Sequence, residues 1–206
     1  MPRESFIKAP FTASGSYLYA YSASFFTIIS ATFARQLLNL LNTQVNGQAA
    51  KFCFWLLTIP LLMFLFRKAL RGNFATLVIG SAVVLFSLQL NLFEERIHLL
   101  QYGLVGLLWT RAYLSTKLEQ SLILPGLLGL TASLATACID EGVQALLPYR
   151  VADIRDIGFD ALGCLAGVLI GIIHEIQHRT YSRNSASCIS LSDSHHSFSK
   201  RKPGSG

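Results

Sequence analysis

The chain has 206 residues, 52% of them apolar and only 14% charged, with a mean hydropathy of +0.47, which excludes an ordinary soluble domain. Its net charge of +6 comes from scattered Lys and Arg with no basic helix and no aromatic platform, which argues against nucleic acid as a partner. The apolar residues arrive in blocks near the ~20 residues that carry an α-helix across ~30 Å of hydrocarbon, without the ten-residue alternation of a β-barrel. The expected fold class is therefore all-α, a polytopic transmembrane bundle of five to six spans.

The first block, residues 17–34, is rich in Ser, Thr and Tyr, and its sequence allows a span, a surface helix or, after Arg3 and Lys8, a cleaved signal segment. No small-x-small cleavage site follows it. A second block, 52–66, is short, flanked by Lys51 and by Arg67 and Lys68, and contains Pro60, which predicts a kinked span with snorkelling ends. Four firmer blocks follow at 74–92, 97–114, 121–139 and 157–173. Beyond Arg179 the chain becomes Ser-rich and basic without apolar periodicity. The predicted division is an N-terminal region over 1–73 with one or two helices, a membrane domain over 74–178, and a disordered cytoplasmic tail over 179–206. Cys53, Cys138, Cys164 and Cys188 share no paired spacing and read as thiols, three of them inside apolar blocks.

With six spans and the tail inside, twelve of the 17 basic residues lie on the cytoplasmic side and five (Arg35, Lys51, Arg96, Arg150 and Arg155) outside. Glu94, Glu95, Asp140, Glu141, Asp153, Asp156 and Asp160 then all fall at outer helix ends or in outer loops. Ionisable groups at the edge of hydrocarbon are costly unless paired, so these acids mark a candidate site, with Arg96, Arg150 and Arg155 available to neutralise them in a purely structural network. Glu94 or Glu95 precedes His98 by about a turn, close enough for a carboxylate to orient the imidazole, and Gln101 and Tyr102 follow one turn later. Asp140 and Gln144 share a helix face with Glu141 beside them, and Arg150 follows a Pro-containing turn. At about 100° per residue Asp156, Asp160, Gly163, Gly167 and Gly171 occupy a stripe about 80° wide, acidic at its outer end and open to close helix approach deeper down. Such a set suits general acid–base work, a divalent cation, or recognition of hydroxyls, amides and phosphates.

The run from His174 to His178, H-E-I-Q-H, satisfies the zinc-protease pattern, but it lies at the cytoplasmic end of the last block with no placed third ligand. It reads as a helix end whose imidazoles complement the C-terminal dipole, and no metal site is predicted.

Three of these segments resemble the VanZ-like family. E-E-R-I-H-L-L-Q-Y-G-L-V-G-L-L (94–108) is similar to its charged loop and His-x-x-x-Tyr helix start. I-D-E-G-V-Q-A-L-L-P-Y-R (139–150) is similar to its Asp-Glu-x-x-Gln and Pro-x-Arg signature, and D-I-G-F-D-A-L-G-C-L-A-G (156–167) to its Asp-x-x-x-Asn-x-x-Gly-x-x-x-Gly helix. Val143 stands where many members carry His, and Asp160 where many carry Asn. The resemblance spans 94–171 and leaves the first two blocks without a counterpart.

It implies a multi-pass bacterial inner-membrane protein of the cell envelope, contributing to glycopeptide resistance of the teicoplanin type. The implied partners are membrane lipid and a glycopeptide antibiotic or lipid-linked cell-wall intermediate, with no cofactor specified. Candidate catalytic residues are His98, Asp140, Glu141 and Asp156, and candidate binding residues are Glu94, Glu95, Tyr102, Gln144, Arg150 and Asp160. An enzyme acting on lipid-linked envelope intermediates and a noncatalytic membrane scaffold remain as alternatives.

Overall fold

A computed structural model describes residues 13–44, 74–90, 93–116, 121–148 and 154–199, with isolated helical positions at 52, 56, 59 and 63. Within helices, the side chains at 31–44, 93–94, 154 and 185–199 lie outside that description. Among the described residues every regular element is an α-helix: α1 (Ala13–Gln44), α2 (Phe74–Gln89), α3 (Phe93–Ser115), α4 (Ile123–Ala145) and α5 (Ile154–Ser199). The all-α expectation holds for these residues. Two helical segments, Ile123–Ala145 and Arg155–Asn184, are long and apolar enough to cross a membrane, and α2 is a shorter apolar helix.

Local chemistry sets the helix ends. Leu90 closes α2 by donating its N–H to Ser87 O at 3.3 Å, and Arg96 caps that turn through Nε and Nη2 on Leu90 O at 2.9 and 2.7 Å. Ser115 and Thr116 fold their hydroxyls onto the carbonyls of Ala112 and Tyr113, occupying acceptors that the last turn of α3 leaves open. The Ser121 hydroxyl accepts from Ile123 N–H at the start of α4, and Pro125 sits in its first turn, where a missing N–H costs no helical bond. The apolar block of α4 ends at Ile139, but the helix continues to Ala145 and stops just before Pro148, carrying Asp140, Glu141 and Gln144 on its last turns.

α5 differs most from expectation. The predicted end of the last block was residue 173 and the tail from 179 was expected to be disordered, yet the helix runs to Ser199. The sequence from Ile172 to Ser199 contains neither Gly nor Pro. Once nucleated by its apolar half, a helix gains one hydrogen bond per added residue, and no Gly or Pro interrupts it over this stretch.

α3 lies at the centre and touches the other four helices. It runs parallel to α5, and the contact is made by backbone: a Cβ at Gly163 would stand 2.5 Å from Leu99 O, one at Gly106 would strike the Cys164 carbonyl, and one at Gly167 the Gly103 carbonyl. Small residues therefore let the two helices close to backbone contact, as the stripe on α5 predicted. α4 packs antiparallel on α3, with Gly129 against Thr110.

α1, the least defined block in the sequence, docks antiparallel on α3. Trp109 Nε1 donates to Ser24 Oγ at 3.0 Å, Thr136 of α4 donates to the same oxygen at 3.3 Å, and Gln101 Nε2 donates to Ser30 Oγ at 3.1 Å. Tyr17 meets Trp109 and Tyr113 edge-on at 6.2 and 5.5 Å between ring centroids, a favoured aromatic geometry.

Candidate functional site

The site lies where the start of α3, the end of α4 and the start of α5 meet, and each helix delivers its polar groups by simple periodicity. On α3 Glu95, His98 and Tyr102 are buried at intervals of three and four residues. On α4 Asp140 and Gln144 are one turn apart, with Glu141 beside them, and all three are buried. On α5 Asp160 is fully buried, and Asp156, one turn nearer the end, is half-buried.

Two contacts tie the helices together at this level. The Tyr102 hydroxyl donates to Asp140 Oδ2 at 2.8 Å, with both residues at 0% exposure. His98 Nδ1 stands 3.4 Å from Asp160 Oδ1, an ion-pair distance when the imidazole is protonated and longer than a good N–H···O bond. His98, Glu141 and Asp160 each place a donor atom so that all three lie within 4.8 Å of one another. Asp140 Oδ1, Glu141 Oε1 and both carboxylate oxygens of Asp160 are buried without a hydrogen-bond partner among the described residues. Buried polar atoms are ordinarily satisfied, so oxygens left open at one spot, beside an imidazole, have capacity for a proton, a water, a substrate group or a cation.

The three sequence segments thus converge, with corrections in detail. A carboxylate that meets His98 comes from Asp160 on α5, a neighbour that the spacing of Glu94 and Glu95 on its own helix does not reveal. Glu95 is buried on α3, and the Glu94 side chain lies outside the described residues. Arg96, available to the acids as a counter-charge by its place in the sequence, gives donors to the Leu90 carbonyl through Nε and Nη2. Arg155 is exposed at the start of α5, and Arg150 and Asp153 lie outside the described residues. Where no metal site is predicted from the sequence, an imidazole and two carboxylates from three helices bring donor atoms within 4.8 Å of one another. Sequence spacing could not show this, since ligands on separate helices have no fixed spacing.

The H-E-x-x-H segment sits at the other end of the bundle. Glu175 accepts from Arg179 Nε at 2.8 Å one turn along, and His174, Glu175 and His178 line a cleft of about 360 Å³ together with Arg111 and Ser16. Cys138 is exposed and Cys164 buried, both free; Cys53 and the Cys188 side chain lie outside the described residues. Sequence reasoning missed the role of α1, whose Ser24 and Ser30 brace α3 and α4; interleaved hydroxyls in an apolar block were the signal for it.

No family model, curated protein or solved structure matches the chain.

Proposed function

We propose that the chain is a multi-pass protein of the bacterial inner membrane, VanZ-like in kind, whose buried His98–Asp140–Glu141–Asp160 cluster faces outward and acts at the cell envelope. The observation that carries this reading is the inverted polarity of the bundle. Phe25, Phe26, Leu85, Ile123, Leu127 and Leu162 are exposed, while Ser24, Ser87, Thr110, Ser133, Thr136, Asp140 and Asp160 are buried. An apolar exterior around a polar interior is stable where the surroundings are lipid.

Helix direction supports six crossings. α1 runs antiparallel to α3, and so does α2, whose C-terminal Phe86 meets Phe159 beside the cluster. α1 and α2 therefore point the same way, which agrees with the return crossing expected of the apolar block at 52–66 from its sequence. The excess of Lys and Arg on the opposite side sets the cluster outside, where a glycopeptide or a lipid-linked cell-wall intermediate is reached.

The open carboxylate oxygens beside an imidazole favour a second reading at the same place, an enzyme that transfers or hydrolyses a lipid-linked group by general acid–base catalysis. Expression in a teicoplanin-susceptible host tests the first reading. Wild-type chain is expected to raise teicoplanin tolerance several-fold, and Glu141→Gln to return it to the vector level at equal membrane abundance. Equal susceptibility of wild type and vector overturns it. If wild type raises tolerance and Glu141→Gln keeps that tolerance, the cluster is packing and the protein a scaffold.

A further inference from the structure

We infer that His98, Glu141 and Asp160 bind one divalent cation of the Zn²⁺ or Mn²⁺ class. The inference rests on the envelope reading for the side of the membrane on which the ion is met, and on geometry for its chemistry.

Donor atoms bonded to one Zn²⁺ ion lie about 2.0–2.2 Å from it, so opposite ligands are at most about 4.4 Å apart. The three donors here lie within 4.8 Å of one another, which side-chain movement of up to about 1–1.5 Å converts into one coordination sphere. The separation of His98 Nδ1 from Asp160 Oδ1, 3.4 Å, is long for a hydrogen bond but natural for two ligands of a common ion. Two ligands about 2.05 Å from a tetrahedral ion stand about 3.3–3.4 Å apart.

Burial supplies an independent observation. Asp160 is 0% exposed and Glu141 6%, and Glu141 Oε1, Asp160 Oδ1 and Asp160 Oδ2 find no hydrogen-bond donor among the described residues. A carboxylate desolvated to this degree stays ionised only beside a positive partner or a donor, and a cation shared with His98 serves both acids at once. The ligand types choose the ion. Imidazole nitrogen disfavours Mg²⁺ and Ca²⁺, which take oxygen donors, while two carboxylates without thiolate suit Zn²⁺ or Mn²⁺. Three protein ligands also leave a position for water or substrate.

The test uses the full chain purified in detergent, stripped with EDTA and dialysed in separate arms against ZnCl₂, MnCl₂ or MgCl₂, with bound metal measured by mass spectrometry. About one equivalent of Zn²⁺ or Mn²⁺ per chain is expected, with at least about tenfold less Mg²⁺. His98→Ala and Glu141→Gln are each expected to weaken binding by about 100-fold or more, and a His174→Ala/His178→Ala chain to bind as wild type. Because a variant can fail to fold, wild-type chain is also loaded with Co²⁺, whose visible d–d absorption is expected to report four- or five-fold coordination with nitrogen and oxygen ligands. Less than about 0.1 equivalent of metal in wild type overturns the inference. So does binding that His98→Ala and Glu141→Gln retain, or that the His174/His178 variant loses. These outcomes need neither a host phenotype nor a topology, so failure here leaves the envelope reading standing, and loss of the teicoplanin effect leaves the metal result standing.

Discussion

At the scale of single residues, the contact between Tyr102 and Asp140 shows how polar groups are held inside this bundle. The phenol supplies the hydrogen bond that Asp140 Oδ2 accepts, and neither residue is exposed. Tyr102→Phe removes the donor while keeping the ring, leaving a buried oxygen open at a cost of about 1–3 kcal/mol. A double-mutant cycle with Asp140→Asn, read by thermal unfolding in detergent, is expected to return a coupling of about 1–2 kcal/mol. Additive effects of the two substitutions would mean that the hydrogen bond contributes no stability of its own. Much of this layer was legible in the sequence, since His98, Tyr102, Asp140, Glu141, Gln144 and Asp160 all stood out as ionisable or polar positions at helix ends. Their pairing was not legible. Helical periodicity says which residues share a face, and it is silent on which other helix supplies an opposing group, so the approach of Asp160 to His98 is not legible from the spacing of Glu94, Glu95 and His98.

At the scale of helices, the glycines of α5 set the register in which α3 and α5 meet. Gly167→Leu would drive its side chain into the Gly103 carbonyl and the backbone of Leu107, whereas Gly158 has open space around its Cβ direction. Overpacking of this kind costs about 1–3 kcal/mol or more, so Gly167→Leu is expected to lower the thermal midpoint and folded yield well below those of a Gly158→Leu control. Equal losses in the two variants would mean that the close approach at Gly167 does not set the cost. The stripe from Asp156 to Gly171 could be read from sequence because small residues at every fourth position have a direct steric meaning. The continuation of α5 to Ser199 could not, because a Ser-rich composition resembles a loop while the decisive feature is the lack of a Gly or Pro to stop the helix.

At the scale of the whole molecule, helix direction and charge distribution make one joint prediction. Single cysteines at Gly142 and Gly72 in a cysteine-free chain are expected to react with an impermeant maleimide from opposite sides, with Gly142 labelled in intact cells. Gly142 suits the probe because it is exposed and a Cβ there meets nothing within 4 Å. Labelling of both positions from the same side would remove one crossing, and labelling of Gly142 only after permeabilisation would turn the molecule over. Helix number was partly legible, since the four firm blocks correspond to α2 through α5, two of which are long and apolar enough to cross a membrane, but a hydropathy window cannot tell that α1 is tied to α3 through Ser24 and Ser30.

The backbone contact between α3 and α5 also bears on the cluster mechanically. His98 and Asp160 ride on two helices that meet carbonyl to glycine, with no side-chain layer between them to yield, so their separation is effectively frozen. Glu141 belongs to α4, whose contact with α5 runs through the flexible ends of Ile172 and Val168 near Gly126. α4 is held to α3 in the same way as α5 is, Gly129 lying against the Thr110 backbone, so each of the three helices brings its part of the cluster on a close glycine contact, and a bulky substitution at any of these glycines is expected to pull one donor away from the other two.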